Sequence, residues 1–149
     1  MKKKLALLRI EAEFKELVYS SNEKVCLLCE NESFILVYTI TLLDGYYKNH
    51  TYVFNINIPQ NYPFSPPKPV CITKVLHPSI DDLGRVCLNI TREDWSVQQT
   101  LQVVIFGISS IFYDVPTDNP FNQKAHSLLI KDPSDFIKEV NLVYNSNKI

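Results

Sequence analysis

The chain has 149 residues, enough for one domain with a substantial buried core. Hydrophobic residues make up 46% of it, charged residues make up 21% and the formal net charge is -1, so the sequence lacks the strongly basic character of a nucleic-acid-binding protein. No apolar run approaches the length of about 18 residues that a transmembrane helix needs, which predicts that the chain does not span a membrane.

The amino terminus superficially resembles a secretion signal, because a basic start leads into a short apolar run. Arg9, Glu11 and Glu13 interrupt that run long before the apolar stretch of a signal peptide would be complete. The four cysteines do not suggest a disulfide framework in a chain of this length, and a reducing compartment would keep them as thiols. We therefore predict an intracellular protein, located in the cytoplasm, the nucleus or both.

The first predicted element is an amphipathic helix from Lys2 to about Val18. Its apolar face repeats at helical spacing through Leu7, Ile10, Phe14 and Leu17. The amino-terminal end of this helix is crowded with basic residues, namely Lys2, Lys3, Lys4 and Arg9. These charges could meet an acidic protein surface, and a solvated helix end is the alternative.

An antiparallel meander of four strands is predicted next. The first three strands and their turn are Val25 to Glu30, Phe34 to Leu43, a turn at Asp44-Gly45, and Thr51 to Ile58. In the third strand the alternate residues Tyr52, Phe54, Ile56 and Ile58 share one side. The segment Pro59 to Pro69 contains five prolines, which must interrupt the sheet before a short strand near Val70 to Thr73.

From Lys74 to about Gln99 neither the helical nor the strand period is sustained, although the aromatic and aliphatic content favours order. Three helices are predicted after this loop: a strongly apolar central helix from Leu101 that ends near Asp114, a short helix capped by Asn122, and a last helix that opens at Asp132-Pro133. The predicted fold class is α+β, with an N-terminal helix, a four-stranded antiparallel meander, a long ordered loop, a central helix and two C-terminal helices in a single domain, residues 1–149.

Cys87 is the candidate nucleophile, late in the irregular segment. A thiolate is the only strong nucleophile in proteins that forms an energy-rich acyl bond which another thiolate can exchange at little cost in free energy. The alternative is an inert packed thiol, because cysteine is among the most buried residue types.

The surroundings of Cys87 resemble the signature of ubiquitin-conjugating enzymes. The sequence has His-Pro-Ser at 77–79, Cys87 eight residues after Ser79, and Trp95 eight residues after Cys87. These positions match the family's His-Pro-Asn motif, catalytic cysteine and buried tryptophan. The proline-rich segment at 62–69 is similar to the family's Tyr-Pro-Phe-x-Pro-Pro loop.

The resemblance extends from about residue 5 to residue 147 and includes Arg9-Ile10 in the first helix. Within the family, the segment Val86 to Trp95 is most similar to the branch that conjugates the Nedd-type modifier, as are residues 122–125. Members of that branch usually carry an additional amino-terminal peptide that docks on their activating enzyme. This sequence begins at the helix, so we expect either that such a peptide was trimmed or that the modifier is a different one.

The resemblance implies a two-step thioester relay. An activating enzyme, which consumes ATP, hands over the carboxyl terminus of ubiquitin or a Nedd-type modifier, and Cys87 takes it by transthiolation. The lysine of a protein substrate, brought in with a RING-type ligase, then attacks the thioester through a tetrahedral oxyanion. Neither a metal nor an organic cofactor is expected, and the chain, which has only three glycines, contains no Gly-rich phosphate loop.

Two positions depart from the family pattern at the implied catalytic site. Ser79 replaces the motif's asparagine, so a hydroxyl stands where a side-chain amide would steady the oxyanion or the loop. Asn119 aligns with the family's acidic gate position, with Asp118 beside it, and an amide cannot hold a lysine's departing proton as a carboxylate can. We therefore predict that Cys87 is loaded normally but transfers slowly to free lysine.

The resemblance also implies partner-binding residues. Phe64, Val97 and Gln98 match the family's two ligase-binding loops, and an exposed phenylalanine would anchor a partner, with core packing as its alternative. Val97 replaces a common proline. Lys4 and Arg9 would contribute to docking of the activating enzyme and the ligase through charge complementarity.

Several other chemically suggestive residues are interpreted as structural. His77 is expected to order its loop rather than act as a general base. Cys26-Leu-Leu-Cys29 has the spacing of zinc and redox motifs, but residues three apart on a strand face opposite ways. We predict burial for both of these cysteines and for Cys71.

Three other functions compete with the Nedd-type relay. Ubiquitin itself could be the modifier, since Phe64 is more typical of ubiquitin-conjugating enzymes than of the Nedd branch. A catalytically silent scaffold of the same fold is a second possibility, although such variants lack the cysteine that this chain keeps. A papain-like hydrolase would need a downstream histidine and asparagine, and His126 is the only histidine after Cys87.

Overall fold

The computed structural model describes residues 2–148, with side chains from Leu5 onward. In chain order its elements are α1 (Lys2–Glu16), β1 (Glu23–Glu30), β2 (Ser33–Thr41), β3 (Thr51–Ile58), β4 (Lys68–Cys71), a 3-10 helix (Asn89–Thr91), α2 (Leu101–Tyr113), α3 (Gln123–Lys131) and α4 (Pro133–Asn145). The predicted order of elements is confirmed. None of the helices among the described residues is long and apolar enough to cross a membrane.

The predicted antiparallel meander is also confirmed, since the strands form one sheet in the order β1-β2-β3-β4. On its inner face Leu36 pairs with Ile56, and Tyr38 pairs with Phe54. All four side chains are fully buried. A shift of β3 by one residue against β2 would turn Phe54 and Ile56 toward solvent, so the alternation in sequence fixes the pairing.

The fourth strand begins earlier than predicted. We expected it near Val70 to Thr73, after the prolines, but β4 includes Pro69, which pairs with Ile56. β4 is an edge strand, and a proline is tolerated there because its missing N–H need not face a neighbouring strand.

Helix α2 packs on the inner face of the sheet through an aromatic cluster of Tyr47, Tyr52 and Phe112. Phe112 stacks on Tyr52 with ring centroids 5.1 Å apart and meets Tyr47 edge-on at 5.0 Å. All three rings are fully buried, and burying each one contributes about 1.5–3 kcal/mol. The cluster therefore fixes the carboxyl end of α2 beneath the loop that carries the candidate site.

The amino-terminal end of α2 is capped by a residue of α1. Thr100 precedes α2 but makes no capping bond through its side chain. Instead the Glu13 carboxylate accepts a hydrogen bond from the Leu101 amide at 2.8 Å and another from the Tyr62 hydroxyl at 2.8 Å. A charged acceptor at this place satisfies a helix amide that would otherwise lack a partner, so α1 and α2 hold each other in position.

The starts of the last two helices are as predicted. The Asn122 side chain accepts from the Ala125 amide at 3.2 Å at the beginning of α3. The Asp132 side chain accepts from the Ser134 amide at 3.0 Å, and Pro133 occupies the first turn of α4. These caps place α3 directly after the loop that borders the candidate site.

The prediction of burial is wrong for two cysteines. Cys26 and Cys29 are both exposed, whereas Cys71 is buried as expected. Both exposed residues lie on β1, which is an edge strand with only its alternate inner positions partly covered. Cys26 is one of the alternate exposed positions of β1, whereas Cys29 lies near the strand end and lines an open groove with Ala6 and Phe34.

Candidate active site

The long segment that carries Cys87 is ordered, as its apolar content predicts. An isolated β-bridge joins Ile80 to Val86. The Cys87 amide donates to the carbonyl oxygen of Ser79 at 2.9 Å. Backbone pairing inside the segment therefore holds Cys87 beside the His-Pro-Ser turn.

Gly84 lets this segment approach the edge of the sheet. Its φ is +83°, and a Cβ at this position would lie 2.2 Å from the carbonyl oxygen of Cys71. The Cys71 amide donates to the Gly84 carbonyl at 2.7 Å. Only glycine combines this left-handed conformation with such a close backbone contact, so Gly84 is needed to seat the Cys87 segment on β4.

His77 orders the turn that precedes the site, in agreement with its structural interpretation. Its ring is completely buried. Its Nδ1 accepts from the Ser79 amide at 2.9 Å, and its Nε2 donates to the Ile111 carbonyl at 2.7 Å. Burial lowers the pKa of His77 to about 4, so the ring is neutral at physiological pH.

The predicted catalytic residues lie together around one open groove of about 230 Å³. We call it the Cys87 groove. Its walls are formed by Ser79, Cys87, Leu88, Asn89, Ile111, Pro116, Asp118, Asn119 and Phe121. Cys87 is partly exposed, which argues against an inert packed thiol.

Ser79 and Asn119 approach Cys87 from two different loops. Ser79 is buried and forms the floor beside the cysteine. Asn119 has a φ of +45°, a left-handed conformation that asparagine tolerates better than most residues. The loop of Asn119 is fixed to the His-Pro-Ser turn because the Phe121 amide donates to the Pro78 carbonyl at 3.0 Å.

A carboxylate also lines the groove, although it is displaced by one residue from the expected position. The family pattern places the acid at Asn119, whereas Asp118 contributes the carboxylate here. The Cys87 groove therefore has an acidic side chain on its wall.

Arg92 is a site residue that the sequence reasoning missed. Its Nη1 donates to the Sγ of Cys87 at 2.9 Å, and this hydrogen bond raises the pKa of Arg92. Spacing alone gives little signal, because residues five apart meet only when the backbone turns. The 3-10 helix Asn89–Thr91, which the sequence did not predict, supplies that turn.

Three of the predicted partner-binding residues line a second groove of about 560 Å³, which we call the Phe64 groove. Arg9, Phe64 and Val97 lie on its walls. Phe64 is 75% exposed, which excludes the core-packing alternative. Gln98 is exposed next to Val97, and the side chain of Lys4 lies outside the described residues.

Arg9 is largely engaged in internal contacts. Its Nη2 donates to the carbonyl oxygens of Val97 and Gln99, each at 2.8 Å, and its Nε pairs with Glu13 at 2.8 Å. Its guanidinium also lies 5.4 Å from the centre of the Tyr62 ring. Arg9 therefore ties α1 to both walls of the Phe64 groove, in addition to any contact that it makes with a partner.

Trp95 connects the segment that carries Cys87 to the wall of the Phe64 groove. The Trp95 indole N–H donates to the Pro63 carbonyl at 2.9 Å, and Trp95 and Tyr62 have ring centroids 5.9 Å apart. Trp95 follows Cys87 in the ordered segment, whereas Pro63 precedes Phe64. The indole thus fixes the position of the Cys87 segment relative to the Phe64 groove.

Comparison with known proteins yields the same relatives by sequence and by structure. A family model described as "Ubiquitin-conjugating enzyme" matches residues 9–144. The chain is 38% identical over 131 residues to "NEDD8-conjugating enzyme Ubc12" of Dictyostelium discoideum, which covers 88% of this chain and 57% of that protein. It is 41% identical over 105 residues to "NEDD8-conjugating enzyme UBC12" of Kluyveromyces lactis, and this match covers 70% of this chain and 57% of that protein.

Among solved structures, "S. cerevisiae Ubc12" superposes with a TM-score of 0.88 at 31% identity, over 97% of this chain and 79% of that one. A Toxoplasma gondii "ubiquitin conjugating enzyme" domain superposes with a TM-score of 0.78 at 20% identity, over 98% of both chains, which supports the fold alone. The chain spans 57% of the length of the first curated relatives that it matches.

Proposed function

The chain belongs to the ubiquitin-conjugating enzyme family, and on that premise we propose that it accepts a ubiquitin-like modifier as a thioester on Cys87 and transfers it to a substrate lysine. The observation that carries this proposal is a partly exposed thiol at the rim of an open groove, beside Ser79 and Asn119. This arrangement leaves the sulfur accessible to the thioester of another protein.

Both steps can proceed with the groups in the Cys87 groove. Exchange of an acyl group between two thiolates is close to neutral in free energy, so loading needs access and orientation more than acid or base catalysis. Transfer to an amine passes through an oxyanion, which hydrogen-bond donors at the groove would stabilise. ATP is used upstream by the activating enzyme, and the proposed relay requires no metal or organic cofactor of its own.

We infer that the modifier is of the NEDD8 type. The names of the similar Dictyostelium, Kluyveromyces and Saccharomyces proteins support this choice. Ubiquitin itself is the second candidate, because the exposed Phe64 is more typical of enzymes that carry it. A RING-type ligase is the proposed occupant of the Phe64 groove, and the cytoplasm and nucleus are the proposed locations.

A loading assay tests the function and the modifier together. The chain is incubated with ATP and either the NEDD8-activating enzyme with NEDD8 or the ubiquitin-activating enzyme with ubiquitin. We expect a reducible adduct on a non-reducing gel with the NEDD8 pair. An adduct with ubiquitin alone would contradict the inferred identity of the modifier. The absence of an adduct with both pairs would contradict the proposed thioester relay.

The serine at position 79 leads to a second expected result. Ser79→Asn should accelerate discharge of the loaded enzyme to free lysine by about tenfold or more, since one well-placed oxyanion donor is typically worth about 10²–10³ in rate. Rapid-quench discharge assays with saturating lysine would measure the change.

The controls separate transfer from loading. Ser79→Asn should leave the loading rate unaltered, and Ser79→Ala should show whether the hydroxyl already contributes to discharge. Equal discharge rates in the wild type and Ser79→Asn would mean that the serine is silent and that slow transfer has another cause.

A further inference from the structure

Arg92 lies against the sulfur atom on which the proposed function depends, with Nη1 2.9 Å from the Sγ of Cys87. We propose that Arg92 is a catalytic residue that stabilises the Cys87 thiolate before the modifier is loaded and again when the modifier leaves. This inference rests on the proposed function and adds a residue to its mechanism.

The backbone holds Arg92 in place over Cys87. The 3-10 helix Asn89–Thr91 reverses the chain, and the Arg92 amide donates to the Asn89 carbonyl at 3.0 Å. Thr91 is buried, which fixes the turn in the protein. The guanidinium is thus an exposed group on an anchored backbone.

The charge of the sulfur decides how strongly this contact acts. A guanidinium and a thiolate form a charge-assisted hydrogen bond, which is roughly twice as strong as a neutral one. The sulfur of a thioester carries no charge and is a weak acceptor. Arg92 therefore favours the two thiolate states of Cys87 over the loaded state.

During loading, the Cys87 thiol first gives its proton to solvent. The thiolate then attacks the carbonyl carbon of the modifier's thioester on the activating enzyme. The bond from that carbon to Sγ forms, and the carbon–sulfur bond to the activating enzyme breaks with its electron pair on that enzyme's sulfur. Arg92 stabilises the attacking thiolate in this step.

During transfer, the lysine amine forms a bond to the same carbonyl carbon and gives a proton to solvent. The oxyanion collapses, the bond from carbon to Sγ breaks, and its electron pair returns to the sulfur beside Arg92. A stabilised thiolate is the better leaving group. No electron is gained or lost overall, so neither an oxidant nor a reductant is required.

Three other charged groups lie around Arg92 or the Cys87 groove. Asp118, from the connection between α2 and α3, lines the Cys87 groove. Glu93 interacts electrostatically with Arg92 itself. Lys68 of β4 lines a neighbouring groove of about 380 Å³ together with Arg92. The two acids disfavour a thiolate, whereas Arg92 makes a direct hydrogen bond to it.

Alkylation tests the contact without the relay. Arg92→Gln removes the positive charge and keeps a polar side chain. At pH 7 its Cys87 should react with iodoacetamide about 3- to 10-fold more slowly than in the wild type, because the thiolate is the reactive form. Mass spectrometry of the peptides provides internal references in the exposed Cys26 and Cys29.

Discharge to free lysine is the second measurement. Arg92→Gln should slow it by about 10-fold and Arg92→Lys by less, because a lysine keeps the charge but not the fork of donors. Lys68→Gln is the matched control, since it removes one positive charge from the neighbouring groove and should discharge at the wild-type rate.

The outcomes distinguish this inference from the proposed function. If the wild type cannot be loaded, the relay fails, and alkylation still decides whether Arg92 stabilises the thiolate. If the wild type loads and Arg92→Gln matches it in both alkylation and discharge, Arg92 has no role in catalysis. An equal loss in Arg92→Lys and Arg92→Gln would also overturn the inference, because a merely structural effect would not depend on the charge at position 92.

Discussion

Replacing Cys87 by serine is expected to stop the relay at an ester that resists reduction. The serine hydroxyl would accept the modifier slowly through an oxygen ester, and its alkoxide is a much poorer leaving group than a thiolate. Transfer to lysine should therefore fall by about 10³-fold or more. A gel run with and without reductant measures the result: the wild-type adduct disappears with reductant, and the Cys87→Ser adduct remains.

Cys26→Ser and Cys29→Ser are the matched controls for this substitution. Both cysteines are exposed, so an activated modifier could reach them, but neither lines the Cys87 groove. Each control should load and transfer like the wild type. A reducible adduct that persists in Cys87→Ser would show that another cysteine carries the modifier, and the proposed mechanism would be wrong.

The elements that could be predicted from the sequence are those whose pattern is local. Strand β3 was predicted with its observed bounds, Thr51–Ile58, because every second side chain is apolar over its whole length. Helix α2 is predicted equally well, because most of its residues are apolar and the charged residue Asp114 follows its last turn. Such signals do not depend on which other elements lie nearby.

The errors arise where the sequence gives no information about neighbours. Cys26 and Cys29 stand in an apolar stretch that is typical of a buried strand, yet β1 is at the edge of the sheet. Strand order is a long-range property, and in this edge strand both an alternate outer position, Cys26, and a position near the strand end, Cys29, stay exposed. Pro69 is an example of the opposite error: its presence predicts an interrupted strand, but β4 includes it because β4 is at the edge of the sheet.

The site residues also fall into two groups, those that motif spacing predicts and those that it does not. Cys87, Ser79 and Asn119 were placed through motif spacing, and the structure brings them to one groove, although their catalytic roles remain predictions. Arg92 was missed because its contact depends on a 3-10 turn that has no periodicity of its own. The hydrogen bonds from Arg9 to the carbonyls of Val97 and Gln99 join residues 88 and 90 positions apart, and no local pattern predicts them.

His77 links the stability of the site to pH. Its ring stacks on Tyr47 with centroids 5.3 Å apart and is completely buried with both nitrogens bonded. Nδ1 accepts a hydrogen bond in this arrangement, so a proton on that nitrogen would break the bond to Ser79 and place a charge in the core. Folding therefore selects the neutral ring.

The sign of the pH effect follows from the depressed pKa. The unfolded chain takes up a proton as pH falls through the ordinary pKa of 6.5, whereas the folded chain resists protonation until about pH 4. This contribution to stability is therefore complete above pH 6.5 and is lost as the pH falls toward 4. The loss is about 2 kcal/mol at pH 5 and about 3 kcal/mol once both states are protonated.

Urea unfolding at pH 7 and pH 5 measures this loss in a range above the pKa values of ordinary carboxylates. Burial also lowers the pKa of His50, which adds to the loss in the same direction. His77→Gln should be less stable than the wild type at pH 7 and should lose less free energy of unfolding on going to pH 5. The slope that remains in this variant is assigned to His50.

Tyr47→Phe separates pH linkage from simple destabilisation. It removes the hydrogen bond that the Tyr47 hydroxyl donates to the Leu76 carbonyl at 2.6 Å, but it keeps the aromatic ring against His77. This control should lower stability by about 1 kcal/mol at both pH values and retain the wild-type slope. If His77→Gln retained the full slope as well, buried His77 could not be its source. In that case the neutral ring would order the Cys87 segment without making its stability depend on pH.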